Sequence, residues 1–116
     1  MSTAMENNYR DSAHLMSRAR FSLMLPHHAG IDKAIASAFR ECELAFHEMD
    51  ERLLDDNALR WVVEIRELMD TTGIPESPEG TFLLKARALS VEQQSDLRVA
   101  VNDLADWFAR QVTQST

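Results

Sequence analysis

The chain has 116 residues, a formal net charge of -7 at pH 7, and 45% hydrophobic residues. This length suits one domain with one ordinary core, and the composition lies far from the polar, highly charged range of disordered chains. The negative charge argues against nucleic acid and anionic membranes as partners, because both would repel the protein.

Cys42 is the only cysteine in the chain. A single cysteine excludes an intramolecular disulfide and a structural zinc site built on several cysteines. The N-terminal residues do not resemble a leader, and nowhere do about 18 apolar residues run together. We therefore expect a cytoplasmic protein without a membrane span.

Apolar residues recur at the helical period in four segments. The predicted helices cover about residues 4–25, 33–54, 58–72 and 90–112, and residues 81–89 form either a short helix or an extended segment. Short connections between amphipathic helices are typical of antiparallel bundles. We predict a single all-α domain over residues 1–116, a compact antiparallel bundle of about four main helices, with frayed ends at about 1–3 and 113–116.

Capping residues support these boundaries. Asp32 is the predicted N-cap of the second helix, and Ser90 with Gln93 has the capping-box pattern at the start of the last helix. Gly73 is expected to end the third helix in a left-handed conformation. The N-cap candidates of the third helix are Asp55, Asp56 and Asn57.

The clearest apolar stripe belongs to the second helix, where it contains Ile35, Phe39, Cys42, Phe46, Met49 and Leu53. Several other large apolar residues lie off the predicted stripes: Leu15, Phe21, Leu44, Leu59 and Val63. So many on a small bundle indicate that a second subunit or another partner covers some of them. We therefore predict a homodimer.

The polar flank of the second helix holds the first candidate site, with Arg40, Glu43, His47, Asp50 and Glu51 within roughly a 100° sector. A histidine among carboxylates can bind a transition metal or act as a general base. Residues of this kind also form ion pairs on the solvated faces of ordinary helices.

Histidines supply the candidate metal ligands, which are His27, His28 and His47. His27 and His28 are adjacent in the loop after the first helix, and Asp32 is their nearest oxygen ligand in sequence. A solvated turn, or a ring that binds the carbonyls of the preceding helix, is the alternative. The chain has no Glu-x-x-His pair of the kind that di-metal bundles use. We predict no cofactor.

Arg40 and His47 are separated by six residues. This spacing resembles the catalytic motif of HEPN-type ribonucleases, which are small helical bundles and commonly dimers. The resemblance covers eight residues and implies that Arg40 stabilises phosphate charge while His47 handles the proton. The motif lies in the middle of this chain rather than near its end, and the chain is acidic; both features depart from that family.

Small size, acidic charge and the absence of a catalytic motif favour binding to another protein, as an adaptor or an immunity- or antitoxin-like neutraliser. A basic partner would suit the charge, but a net negative charge is also what keeps many proteins soluble. The expected contact surface is acidic and consists of Glu41, Glu43, Glu48, Asp50 and Glu51. The alternative is an enzyme or metal-binding bundle that uses Arg40, His47 and nearby carboxylates.

Overall fold

The computed structural model describes residues 3–24, 30–76 and 80–115. In these ranges the chain forms helices without any strand, so the all-α prediction is confirmed. The elements are α1 (Thr3–Met24), α2 (Ile31–Glu48), a 3-10 turn (Glu51–Leu53), α3 (Asp56–Met69), α4 (Thr81–Ala88) and α5 (Val91–Ser115). The segment before the last helix is therefore helical rather than extended, and α5 continues into the tail that the sequence predicted to be frayed.

The helices pack in an order that differs from their order in the chain. Helix α1 lies between α2 and α5, α5 also packs against α3, and α4 packs against α2. Helix α3 makes only weak contact with α2 and with α4. The spatial order is therefore α4, α2, α1, α5, α3, and the consecutive helices α2 and α3 are separated along much of their length.

The core contains one side of every helix. Its largest fully buried apolar side chains come from the predicted stripes, and they include Met16, Ile35, Phe39, Ile65, Leu97, Leu104 and Phe108. Removing these side chains from water is the main source of stability for a bundle of this size.

Helices α1 and α2 are antiparallel, as hydrogen bonds from α1 to α2 and to the 3-10 turn after it show. The hydroxyl of Tyr9 donates to the carbonyl of Leu53 at 3.1 Å, and the hydroxyl of Ser12 donates to the carbonyl of Ala45 at 3.2 Å. Ser12 is fully buried, so this bond satisfies a donor that would otherwise be costly inside the core.

Side-chain caps fix the starts of α3 and α5. Asp55 is the N-cap of α3, where its Oδ1 accepts from the backbone N–H of Ala58 at 2.8 Å and its Oδ2 accepts from the indole N–H of Trp107 at 2.9 Å. Both bonds favour the ionised carboxylate, so the pKa of Asp55 is lowered. The predicted capping box is confirmed, because Ser90 and Gln93 exchange side-chain and backbone hydrogen bonds of 2.9 and 3.0 Å.

Helix α2 is shorter than the sequence predicted. It ends at Glu48 instead of continuing to Leu54, because Met49 is extended and Asp50 accepts a hydrogen bond from the backbone N–H of Arg52 at 3.0 Å. Aspartate competes with the helix for backbone donors in this way, and here the bond stabilises the 3-10 turn.

Two further boundary predictions were wrong. The N-cap of α2 is Gly30, with φ at 108°, and Asp32 lies in the first turn, where it accepts from Nε of Arg87 in α4 at 2.9 Å. This bond ties α4 to α2 and lowers the pKa of Asp32. Helix α3 ends at Met69, and Gly73, with φ at 82°, belongs to the turn beyond it.

Candidate functional site

The separation of α2 from α3 leaves a groove on the surface. Helix α4 lies against the first half of α2, where Phe39 and Phe82 make an edge-to-face ring contact with centroids 5.6 Å apart. Beyond α4 the second half of α2 faces α3 across an open space of about 460 Å³. We call this space the α2/α3 groove; its lining residues are Glu43, Phe46, His47, Arg66 and Met69.

The floor of the α2/α3 groove is apolar. Phe46 and Met69 are 6% and 8% exposed, and both belong to the core cluster. Arg66 of α3 lies over the ring of Phe46, with its guanidinium carbon 5.4 Å from the ring centroid, and it forms an ion pair with Glu51. The arginine is thus held on both sides, and its charge is balanced within the protein.

Glu43 and His47 form the polar wall of the groove. They are one helical turn apart on α2, so both side chains project from the same face, and both are exposed. Glu43 has no ion-pair partner within 4.0 Å among the residues that the structure describes. Its carboxylate is therefore available to a ligand.

Arg40 stands apart from this site. It is exposed on α2 one turn before Glu43, but it does not line the α2/α3 groove. Within the described ranges it forms no ion pair. Sequence reasoning paired Arg40 with His47, whereas in the structure His47 lines the groove together with Glu43 and Arg66.

Glu41, which the sequence placed on an acidic contact surface, faces α1 instead. Its Oε2 is 3.2 Å from Nε of Arg18, and its Oε1 accepts from the hydroxyl of Ser22 at 2.8 Å. Its side chain is only 12% exposed. The carboxylate thus joins α1 to α2, and it has little surface left for a partner.

Asp50 and Glu51 are also engaged within the chain. Arg52 binds Asp50 through two side-chain hydrogen bonds of 3.0 and 2.8 Å, and these bonds hold the pKa of Asp50 below its usual range. Glu51 is paired with Arg66. Of the five residues in the predicted acidic surface, Glu43 and Glu48 are the two without an ion pair in the described part of the chain.

Glu48 lies on the other side of α2. It lines a second surface groove of about 370 Å³ between α1 and α2, together with Asp11, His14, Leu15 and Leu44. The exposed side of α2 therefore lies between two grooves. Glu43 and His47 face α3, whereas Leu44 and Glu48 face α1.

The histidine candidates do not form a metal centre in the part of the molecule that the structure describes. No group of three or more histidine, cysteine, aspartate or glutamate side chains is placed there to hold an ion, and His47 is an exposed groove residue. His27 and His28 lie outside the described residues.

Cys42 is fully buried in the core, as its place on the apolar stripe predicted. Burial raises the pKa of its thiol, because the thiolate would lose its hydration. The side chain therefore serves packing and is a poor nucleophile.

Comparison of the chain with protein-family models, with curated proteins and with solved structures gives no match in any of the three. None of the helices in the described ranges has both the length and the apolar character needed to cross a bilayer.

Arg66 is the site residue that sequence reasoning missed. It is one of twelve basic residues scattered along the chain, and nothing in its spacing links it to α2. The available sign was that Leu59 and Val63, two apolar residues off the predicted stripe, precede Arg66 on one flank of that helix.

Proposed function

We propose that this protein binds another protein through the α2/α3 groove, and that the occupant is a basic amphipathic helix of the partner. The observation that supports this most is an apolar floor of Phe46 and Met69 between two helices that barely touch each other. A free carboxylate, that of Glu43, stands beside this floor.

The shape of the site favours a helix as the occupant. A gap between two helices of a bundle is where a further helix packs, and amphipathic helices commonly bind such grooves through apolar residues spaced by three and four. Leu59 and Val63 are exposed on α3 seven and three residues before Arg66, so a partner helix that is longer than the groove would find apolar side chains to contact there. The thioether of Met69 adapts readily to the shape of a partner side chain.

The charge of the site favours a basic occupant. Arg66 is neutralised by Glu51, whereas Glu43 has no counter-ion among the described residues. A lysine or arginine of the partner would pair with Glu43 at the edge of the apolar contact. The net charge of -7 would also speed encounter with a basic protein, most strongly at low salt.

The test compares two charge reversals of the same kind. The wild type, Glu43→Lys and Asp103→Lys serve as baits in extract from the native cell at about 50 mM salt, where charge attraction is weakly screened. Asp103 lies on α5, which contributes no residue to the α2/α3 groove.

We expect a basic protein that the wild type and Asp103→Lys retain equally and that Glu43→Lys retains at least tenfold less. In the recovered complex, slowed hydrogen exchange should map to residues 43–47 and 63–69. Equal retention by the two variants, or protection elsewhere on the molecule, would contradict the proposal.

A further inference from the structure

Two phenylalanines of α2 are covered by different kinds of side chain. Phe39 and Phe46 are two helical turns apart, so they lie on the same side of the helix. Phe39 is fully buried, and the ring of Phe82 in α4 packs against it edge to face. Phe46 lies beyond α4, and there the guanidinium of Arg66 lies over its ring. We call the guanidinium in this position the Arg66 cover.

The contacts that hold the Arg66 cover in place are exposed. The guanidinium carbon is 5.4 Å from the centroid of the Phe46 ring. In the ion pair with Glu51 the two side chains are 47% and 43% exposed. Water weakens ion pairs at this degree of exposure, and fixing an arginine side chain in one rotamer costs conformational entropy. The guanidinium can therefore leave the ring without breaking a buried ion pair.

The Arg66 cover closes the floor of the α2/α3 groove. Phe46 and Met69 are almost fully buried, and Arg66 lines the groove above them. An occupant that binds on top of the guanidinium would gain little apolar contact. If the guanidinium moves aside, an apolar side chain can pack against Phe46 as Phe82 packs against Phe39. Apolar contacts of this kind are the main favourable contribution when a helix binds in a groove.

We propose that Arg66 is a displaceable cover of the α2/α3 groove, and that an apolar side chain of the partner helix takes its place on Phe46. The proposal rests on the proposed function, because it concerns how the same groove admits its occupant. In the free protein the ion pair with Glu51 holds the cover closed. The partner binds the open form, so its measured affinity is lowered by the population of the covered form.

The test uses Nile red, an uncharged apolar dye that fluoresces weakly in water. Because the dye has no charge, its binding reports the apolar floor and not a change in charge attraction. Arg66→Ala removes the cover, and Glu51→Ala removes the ion-pair partner of the cover. The matched controls are Arg52→Ala, which removes an exposed arginine paired with Asp50, and Glu48→Ala. Neither Arg52 nor Glu48 lines the α2/α3 groove.

We expect Arg66→Ala to bind the dye about fivefold more tightly than the wild type, because it removes one exposed cation–π contact and one exposed ion pair. Glu51→Ala should bind it about twofold more tightly, whereas Arg52→Ala and Glu48→Ala should match the wild type. The dye should shift the methyl resonance of Met69 in the NMR spectrum of Arg66→Ala.

Circular dichroism shows whether each variant is helical, and Glu51→Ala alone decides the outcome if Arg66→Ala does not fold. Helical variants that bind the dye no better than the wild type would overturn the proposal. The same holds if the controls bind it as tightly as the variants do, or if the Met69 resonance does not move.

The dye experiment needs no partner, so its outcome is separable from that of the capture experiment. A partner that the wild type captures should be retained more strongly by Arg66→Ala. If Arg66→Ala retains it more weakly, the proposed function stands and the cover is refuted. If no partner is captured while the dye results hold, the proposed function fails and the displaceable cover on Phe46 is supported.

Discussion

Replacing Asp55 with alanine removes the N-cap hydrogen bond of α3 and the hydrogen bond that joins the start of α3 to Trp107 of α5. The N-cap bond to Ala58 contributes about 1 kcal/mol. The bond from the indole of Trp107 contributes about 1.5 kcal/mol, the low end of the range for a charged acceptor, because Asp55 is exposed. Trp107 is only 5% exposed, so little water can replace that acceptor. We expect Asp55→Ala to lower the free energy of unfolding by about 2.5 kcal/mol, or about 10 °C in Tm.

Urea unfolding followed by circular dichroism at pH 7 measures this loss. Asp50→Ala is the matched control, because it removes a carboxylate that caps only the exposed 3-10 turn, and we expect it to cost less than about 0.5 kcal/mol. A double-mutant cycle of Asp55→Ala with Trp107→Phe should give a coupling of about 1 kcal/mol. Equal losses for Asp55→Ala and Asp50→Ala, or no coupling to Trp107, would refute the reasoning.

The direction of the pKa shift of Asp55 decides how the stabilisation by its two hydrogen bonds depends on pH. The pKa of Asp55 is lower in the folded protein than the value of about 3.9 in an unfolded chain. Its charge-dependent stabilisation is therefore complete above that unfolded value and is lost as the pH falls through the folded pKa. The stability difference between the wild type and Asp55→Asn should be larger at pH 7 than at pH 3, and a difference that does not change with pH would contradict this assignment.

The remaining predictions concern the core, a cap and the alternative chemistry. Ser12→Ala should cost about 1 kcal/mol in urea unfolding, whereas Ser12→Leu should cost more than about 3 kcal/mol because it forces α1 away from α2; equal costs would mean that the residue is not at a close contact. Ser90→Ala should cost about 1 kcal/mol by loss of the capping box, and a neutral result would show that this cap contributes nothing. Cys42 should react with a thiol reagent at pH 8 only at the rate at which the protein opens; rapid reaction of the folded protein would contradict its burial. Purified protein should leave generic RNA intact, and cleavage that is lost in His47→Ala would establish the ribonuclease hypothesis instead.

The fold was largely predictable from the sequence, because apolar residues at the helical period define which side of each helix is buried. The capping box at Ser90 was recognisable because both partners are local. The end of α2 was not recognisable, because the apolar stripe continues through Met49 and Leu53 and so predicted a longer helix. A hydrogen bond between Asp50 and Arg52 gives a 3-10 turn there instead. Met49 and Leu53 remain partly buried. The apolar stripe therefore predicted their burial correctly but predicted a helical backbone wrongly.

The candidate site was only half predictable. Glu43 and His47 share a helix face by spacing alone, and that part of the prediction describes the polar wall of the α2/α3 groove. The pairing of Glu41 with Arg18 and of Glu51 with Arg66 depends on which helices are neighbours in space. Periodicity identifies the buried side of each helix but does not say which helix covers it, so the ion pairs across helices became visible only in the structure.

Site-specific photo-crosslinking in the native cell tests the claim about the α2/α3 groove most directly. A photoreactive phenylalanine analogue at position 47 lies at the groove, and the same analogue at position 103 lies on α5, away from it. We predict that position 47, and not position 103, crosslinks to a partner segment with lysine or arginine beside apolar residues spaced by three and four. No crosslinked protein from position 47, or the same products from both positions, would show that the groove is not the binding site.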